Sequence, residues 1–172
     1  MSGPLVQETH TDSEDYKPDS QQCDKLWLRR VVYRLLVAGQ LIIATMIVLM
    51  LKPPGNMLVA SIVQLSAVAL GLSAILTMRV SRVRVTPALA QDAELVRHGP
   101  YRLIRHPMYT ALVLFASSYI ISDGSWLSVQ LWMTLLLVLL TKVYYEEKEL
   151  RAAFPQYENY ASTTSRLIPF VW

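Results

Sequence analysis

An all-α integral membrane fold with about four transmembrane helices, the last two paired as a helical hairpin, follows from three features of this chain. Charged residues are 17% of the 172, against about 25% in an ordinary soluble domain. The deficit sits in long uncharged runs. The basic residues that remain fall on alternate loops.

Residues 1–24 carry Glu8, Asp12, Glu14, Asp15, Asp19 and Asp24 against Lys17, with few large apolar side chains. Such a segment cannot offset the entropy of ordering, so a disordered acidic tail is expected there. A cleavable leader is not expected, because residues 1–30 are polar. Residues 25–172 are expected to form a single membrane domain. The run 35–51 has 17 uncharged residues and the run 57–78 has 22. A helix rises about 1.5 Å per residue, and about 20 apolar residues cross the hydrocarbon, so both runs are read as spans. Lys52-Pro53-Pro54-Gly55-Asn56 is a tight loop between them. From 107 to 141 the only charge is Asp123. Asp123-Gly124-Ser125 is a turn signal that splits this stretch in two. Its first piece, 107–122, is short for a full span and is expected to tilt or to re-enter. The last segment, 142–172, is expected to be helical at first. Leu150, Phe154, Tyr157 and Tyr160 recur on one helix face, Phe154-Pro155 interrupts it, and Phe170, Trp172 and the tyrosines suit headgroup depth.

Arg79, Arg82, Arg84, Arg97, Arg102 and Arg105 lie between the second and third runs, and Lys142, Lys148, Arg151 and Arg166 near the C-terminus. The loop around Asp123 has no basic residue. Basic loops stay cytoplasmic, which places both termini and the 79–106 loop inside. The expected location is a bacterial inner membrane in preference to an endoplasmic reticulum, although this topology itself fits either. Cys23 is the only cysteine, which excludes an internal disulfide. The net charge of +3 is not carried by a basic soluble module, so no nucleic-acid partner is expected. Membrane lipids are the expected surroundings, and nothing in the sequence sets an oligomeric state.

Two clusters could carry chemistry. One is Gly99-Pro100-Tyr101-Arg102-Leu103-Ile104-Arg105-His106-Pro107-Met108-Tyr109, and the other is Lys142 followed by Glu146, Glu147 and Glu149. Pro107 suits a first helical turn, and His106 and Tyr109 can then share a side. Lys142 and Glu146 are one turn apart. Carboxylates beside an apolar span are costly unless paired. An imidazole, a phenol, a carboxylate and an ammonium can therefore meet near the membrane surface. The bland alternative is that Arg105 and His106 snorkel to headgroups and that the glutamates form a solvated helix end. His98 and His106 are too few for a metal site, and none is expected.

The pattern G-P-Y-x-x-x-R-H-P-x-Y, then E-E-x-x-L-x-x-x-F-x-x-Y-x-x-Y, then R-x-I-P resembles the isoprenylcysteine carboxyl methyltransferase family, whose superfamily also holds phospholipid N-methyltransferases. The resemblance covers about residues 87–170. It implies a cytoplasmic pocket for S-adenosyl-L-methionine in the C-terminal half. By that similarity Glu94, Leu95, Val96, Tyr101, His106, Pro107, Met108, Tyr109, Glu146 and Glu147 bind the cofactor. Lys142 stands where the family has a substrate-contacting arginine and keeps the charge without the bidentate fork. Ala111 and Pro155 replace common glycines, which touches local packing. The six isolated glycines form no G-x-G loop, in line with a cofactor site of another kind than a Rossmann fold.

The function so implied is methyl transfer to a lipophilic or lipidated membrane acceptor. A carboxylate is ionised at neutral pH and needs no base, whereas an ammonium must first lose a proton. Lys142 would orient the former and repel the latter, so a carboxylate is expected over an amine. Two alternatives stand beside this reading: an NADPH-dependent membrane reductase of related architecture, and a non-catalytic membrane scaffold. Binding of S-adenosylmethionine against NADPH discriminates them.

Overall fold

The computed structural model describes residues 20–51, 57–80 and 95–169. Among the described residues five α-helices follow one another: α1 Ser20–Met50, α2 Leu58–Val80, α3 Pro107–Asp123, α4 Trp126–Ala153 and α5 Tyr157–Thr163, with a 3-10 turn at Gly99–Arg102. Residues 1–34 and 35–172 are separate compact units, and the site lies wholly in the second. The expected acidic tail lies outside the described residues as far as residue 19. Residues 20–24 open α1, where no glycine or proline interrupts the helix before the apolar run.

Among the described residues three segments are long and apolar enough to cross a membrane: Arg30–Met50, Leu58–Arg79 and Trp126–Ala153. Helix α3 has 17 residues, or about 26 Å of rise against a hydrocarbon core of about 30 Å. It is the segment that the sequence marks as short.

The α3–α4 hairpin forms as expected at Asp123-Gly124-Ser125. Gly124 takes the left-handed conformation (φ +59°) that ends α3, and its N–H donates to the Ile120 carbonyl at 2.9 Å. Ser125 caps α4 by accepting the Ser128 N–H at 3.2 Å. The Asp123 carboxylate accepts from the Ser125 hydroxyl, which fixes the turn.

Helix α2 lies along α3 through small residues. Ala60, Ala67 and Ala74 are buried and recur every seven positions, one face of a helix. A Cβ added to Gly71 would meet Ala111 Cβ at 3.5 Å. In hydrocarbon there is no hydrophobic drive between helices, so backbones must come close for dispersion to hold them. Ala111 is buried on the α3 side of this seam. Ile47 and Leu51 join Ala116, Tyr119, Leu135 and Leu139 in a core between α3 and α4. Trp132 Nε1 donates to Ser117 Oγ at 2.9 Å across the hairpin.

The C-terminal segment breaks at Phe154-Pro155, as the sequence predicts. Pro155 has no N–H to donate and ends α4 after Ala153. Tyr157 and Tyr160 therefore lie on a new short helix and are buried in the protein. Phe170 and Trp172 lie outside the described residues. After α5 the chain runs beside residues 103–106. The Arg105 and His106 N–H groups donate to the carbonyls of Ser165 (2.8 Å) and Arg166 (3.1 Å), and the Ser165 N–H donates to the Leu103 carbonyl (3.1 Å). This exchange sets the R-x-I-P stretch against the R-H-P stretch.

Candidate functional site

His106 is the residue before α3, and Pro107 takes the first helical turn, where a missing N–H costs nothing. Tyr109 then lies on the same side, and its ring stacks on the imidazole with centroids 5.5 Å apart and planes 8° from parallel. Across the hairpin, α4 presents Lys142, Glu146 and Glu147. Tyr109 Oη donates to Glu146 Oε1 at 2.5 Å, and His106 Nδ1 stands 3.6 Å from Glu146 Oε2. Lys142 is only 4% exposed. Its Nζ lies 4.7 Å from the Tyr109 ring centroid and donates to Gln40 Oε1 of α1 at 2.8 Å. The ring face and the amide oxygen both favour a cation there. Imidazole, phenol, carboxylate and ammonium thus meet as the two motifs imply.

Glu147 is in a different position. It is 2% exposed and is held by three arginines: Oε1 accepts from Arg105 Nε at 2.9 Å, and Oε2 from Arg166 Nε at 3.1 Å and from Arg151 Nη2 at 3.5 Å. A buried carboxylate is tolerated only when paired and hydrogen-bonded on this scale. Arg105 Nη1 also donates to the carbonyls of Ala161 (2.7 Å) and Thr164. The Arg105 side chain is 8% exposed, and neither it nor Glu147 is a solvated or snorkelling side chain. His106 Nε2 lies 3.8 Å from Glu147 Oε1, beyond hydrogen-bond reach, and is buried with no hydrogen-bond partner.

The 3-10 turn supports the site from below. Gly99 has φ +61°, and a Cβ there would stand 2.7 Å from Thr77 Oγ1 at the end of α2. Glycine is what the close approach and the left-handed backbone both require. Tyr101 is buried, and its carbonyl accepts from Tyr160 Oη at 2.7 Å. The Arg97 guanidinium lies 5.9 Å over the Tyr160 ring. Burial, with the Glu146 charge adding to it, pushes the Tyr101 phenol up to about 12. Leu95 and Val96 are half-buried ahead of the turn. Glu94 lies outside the described residues.

A cleft of about 290 Å³ opens beside the cluster, with Gln40 of α1, Ala67 and Gly71 of α2, and Met108, Tyr109 and Phe115 of α3 in its wall. Its volume is at the small end of ligand cavities, roughly 300–1,000 Å³. The structure therefore brings together His106, Pro107, Met108, Tyr109, Lys142, Glu146 and Glu147. Tyr101 lies under α5, its carbonyl bonded to Tyr160 and its phenol within reach of the Glu146 charge. The sequence reading missed Gln40, Arg105 as a buried hub, and Arg166. The available signal for Gln40 was a lone amide in an uncharged run.

A family model described as phospholipid methyltransferase matches residues 56–157, from just before α2 to the first residue of α5. No curated protein and no solved structure matches the chain. The match covers well over half of the chain and both charged motifs of the hairpin. This chain is a member of the phospholipid methyltransferase family of membrane proteins, the superfamily that includes isoprenylcysteine carboxyl methyltransferases.

Proposed function

We propose that this protein transfers a methyl group from S-adenosylmethionine to a lipophilic acceptor drawn from the bilayer, and that the acceptor presents a carboxylate in preference to an amine. The observation that carries this reading is the Tyr109–Glu146–His106 cluster, with the Lys142 ammonium over the Tyr109 ring and an apolar cleft on the Tyr109 side. S-adenosylmethionine has a cationic amino group, and the chemistry of the donor set fits it. Glu146 is 21% exposed at its side chain and carries a negative charge that Tyr109 already orients. His106 Nε2 is a buried nitrogen with no hydrogen-bond partner. Glu146 would hold the ammonium, and His106, Pro107, Met108 and Tyr109 would line the site. By similarity, Glu94, Leu95, Val96 and Tyr101 would close it.

When bound, S-adenosylmethionine supplies a methyl group already activated on a sulfonium. The chain's own work is then positioning and exclusion of water, which can account for most of such a rate. Tyr109 and His106 fix the Glu146 rotamer. Glu147 serves as a positioning residue, because its oxygens are occupied by arginines that tie the R-H-P and R-x-I-P stretches to α4. Lys142 orients the acceptor: its ammonium attracts a carboxylate and repels an ammonium, and a carboxylate needs no general base. The crowding of arginine and lysine at this end of the helices supports a cytoplasmic site with both termini inside.

The test is incubation of purified protein with methyl-labelled S-adenosylmethionine and a membrane lipid extract. Mass spectrometry should find a base-labile methyl ester on a lipophilic product. A labelled methylamine lipid with no ester would overturn the acceptor class. No labelled product from any extract, with the cofactor unbound, would overturn the activity.

A further inference from the structure

Gly71 sits in the interior of α2, where glycine is less favourable than alanine, and its φ is not positive. Close packing does not require it either. A Cβ there would meet Ala111 Cβ at 3.5 Å, an ordinary contact, so the seam would accept alanine. What the missing side chain leaves is open space, because Gly71 and Ala111 both line the cleft. On α2 the wall runs from Ile75 to Ala67 and on α3 from Met108 to Phe115, about 12 Å and about 10 Å of helix rise. The cleft therefore follows the helix axes. Helix α2 is long and apolar enough to cross a membrane, so this is also the direction in which lipid chains pack. Val68, Ile75 and Met108 of the wall are exposed, so the cleft opens on a face that hydrocarbon covers.

We infer that Gly71 keeps the cleft open as the seat of one hydrocarbon chain of the acceptor, whose head then lies beside Tyr109. This rests on the bilayer-drawn acceptor proposed above. The occupant follows from where the cleft lies. Its wall is mainly apolar and it opens on the flank of a span, so a molecule reaches it by dissolving in the bilayer. Its volume of about 290 Å³ is at the small end of ligand cavities, which suits a single chain. Tyr109 belongs both to the wall and to the charged cluster, through its hydrogen bond to Glu146 Oε1 at 2.5 Å. A chain seated along α2 and α3 thus ends next to the proposed cofactor site. A side chain at position 71 would take the space that the chain needs.

The experiment offers palmitate with a photoactivatable diazirine midway along its chain to the full-length protein in phosphatidylcholine vesicles. Mass spectrometry after illumination should find label on Val68, Leu112 and Phe115 of the cleft severalfold above the background at Leu65 and Leu137, which are exposed on α2 and α4. Gly71→Leu should bring the cleft down to that background. Gly71→Ala should lower cleft labelling part-way without lowering the unfolding midpoint, and it carries the test if the leucine variant does not fold. Calorimetry with S-adenosylmethionine should give the wild-type affinity for both variants. Cleft labelling at background in wild type overturns the inference. So does wild-type labelling in a folded Gly71→Leu protein or, where that variant does not fold, in Gly71→Ala. A lower midpoint for Gly71→Ala overturns it as well, because the glycine then serves packing, and so does a loss of cofactor affinity in either folded variant. If the labelling and its loss are seen while wild type fails to bind S-adenosylmethionine, the chain site stands and the methyltransferase reading falls. If S-adenosylmethionine binds and the cleft is not labelled, the reverse holds.

Discussion

Tyr109 donates its phenolic hydrogen to Glu146 Oε1 at 2.5 Å, joining the first turn of α3 to the polar end of α4 at one oxygen of a partly exposed carboxylate. His106, stacked on Tyr109, approaches the other oxygen at 3.6 Å. Removing the hydroxyl separates orientation from charge. Tyr109→Phe keeps the stacked ring and the face beneath Lys142, and it loses one charge-assisted hydrogen bond. Cofactor affinity measured by calorimetry should fall severalfold, and thermal stability should change little.

Glu146 and Glu147 are neighbours in sequence with different expected phenotypes. Glu146→Gln should leave the fold intact and weaken cofactor binding roughly ten- to hundredfold, the worth of a charge-assisted hydrogen bond of about 1.5–3 kcal/mol. Glu147→Gln strips the counter-charge from buried Arg105 and from Arg166. Breaking one side of a buried pair costs about 3–5 kcal/mol, so the unfolding midpoint in detergent should drop sharply. Comparable midpoints for the two variants would contradict the division of roles.

Lys142→Met should spare cofactor binding and depress turnover, because its ammonium is assigned to the acceptor. Lys142→Arg restores the planar fork and should retain activity on a carboxylate acceptor. Single-turnover assays beside calorimetry check this. A Lys142→Met protein that loses cofactor affinity as much as Glu146→Gln does would show that the lysine belongs to the cofactor site.

Gly99→Ala forces a Cβ toward Thr77 Oγ1 and strains a backbone at φ +61°. A loss of about 1–3 kcal/mol of stability is expected. Adding Thr77→Ala removes the steric part and leaves the backbone part, so the double variant should recover stability only partially. Full recovery would mean that the positive φ carries no cost.

The alkaline limit of the fold is set in part by Tyr101 and Tyr160. Each phenol is pushed up to about 12, by burial first, with the Glu146 charge adding to it at Tyr101 and the neighbouring Tyr101 adding to it at Tyr160. An unfolded tyrosine ionises near pH 10. Between about pH 10 and about pH 12 the unfolded chain has released protons that the folded chain still holds, so stability falls as the pH rises through that window. Below it these groups contribute no pH dependence. Tyr160→Phe loses the hydrogen bond to the Tyr101 carbonyl, about 1 kcal/mol at neutral pH, and should show a shallower decline across the window. A parallel decline in wild type and variant would remove Tyr160 from the account.

The sequence made the helices legible because hydrocarbon imposes one rule: long uncharged runs become helices, and Asp123-Gly124-Ser125 breaks them. The pairing of His106 with Tyr109 was legible from Pro107 and helical spacing. Arg105 and Glu147 were not. They are 42 residues apart, and a charged side chain in an arginine-rich loop looks the same in sequence whether it is solvated or buried. The contact that buries them depends on the 164–166 stretch folding back along 103–106, which no periodicity encodes. The burial of Tyr157 and Tyr160 was hidden for a related reason. Their spacing continues the α4 face, but Pro155 ends that helix and turns both rings into the protein. Gln40 carried a signal in its isolation, and its partner Lys142 lies 102 residues away.

The central claim is that the Tyr109–Glu146–His106 cluster holds S-adenosylmethionine. Calorimetric titration of purified wild type and Glu146→Gln with S-adenosylmethionine, its demethylated product and NADPH tests it most directly. The account predicts saturable binding of the first two to wild type, roughly ten- to hundredfold weaker binding to Glu146→Gln, and no binding of NADPH to either. A folded wild-type protein that binds NADPH and neither of the other two would contradict it.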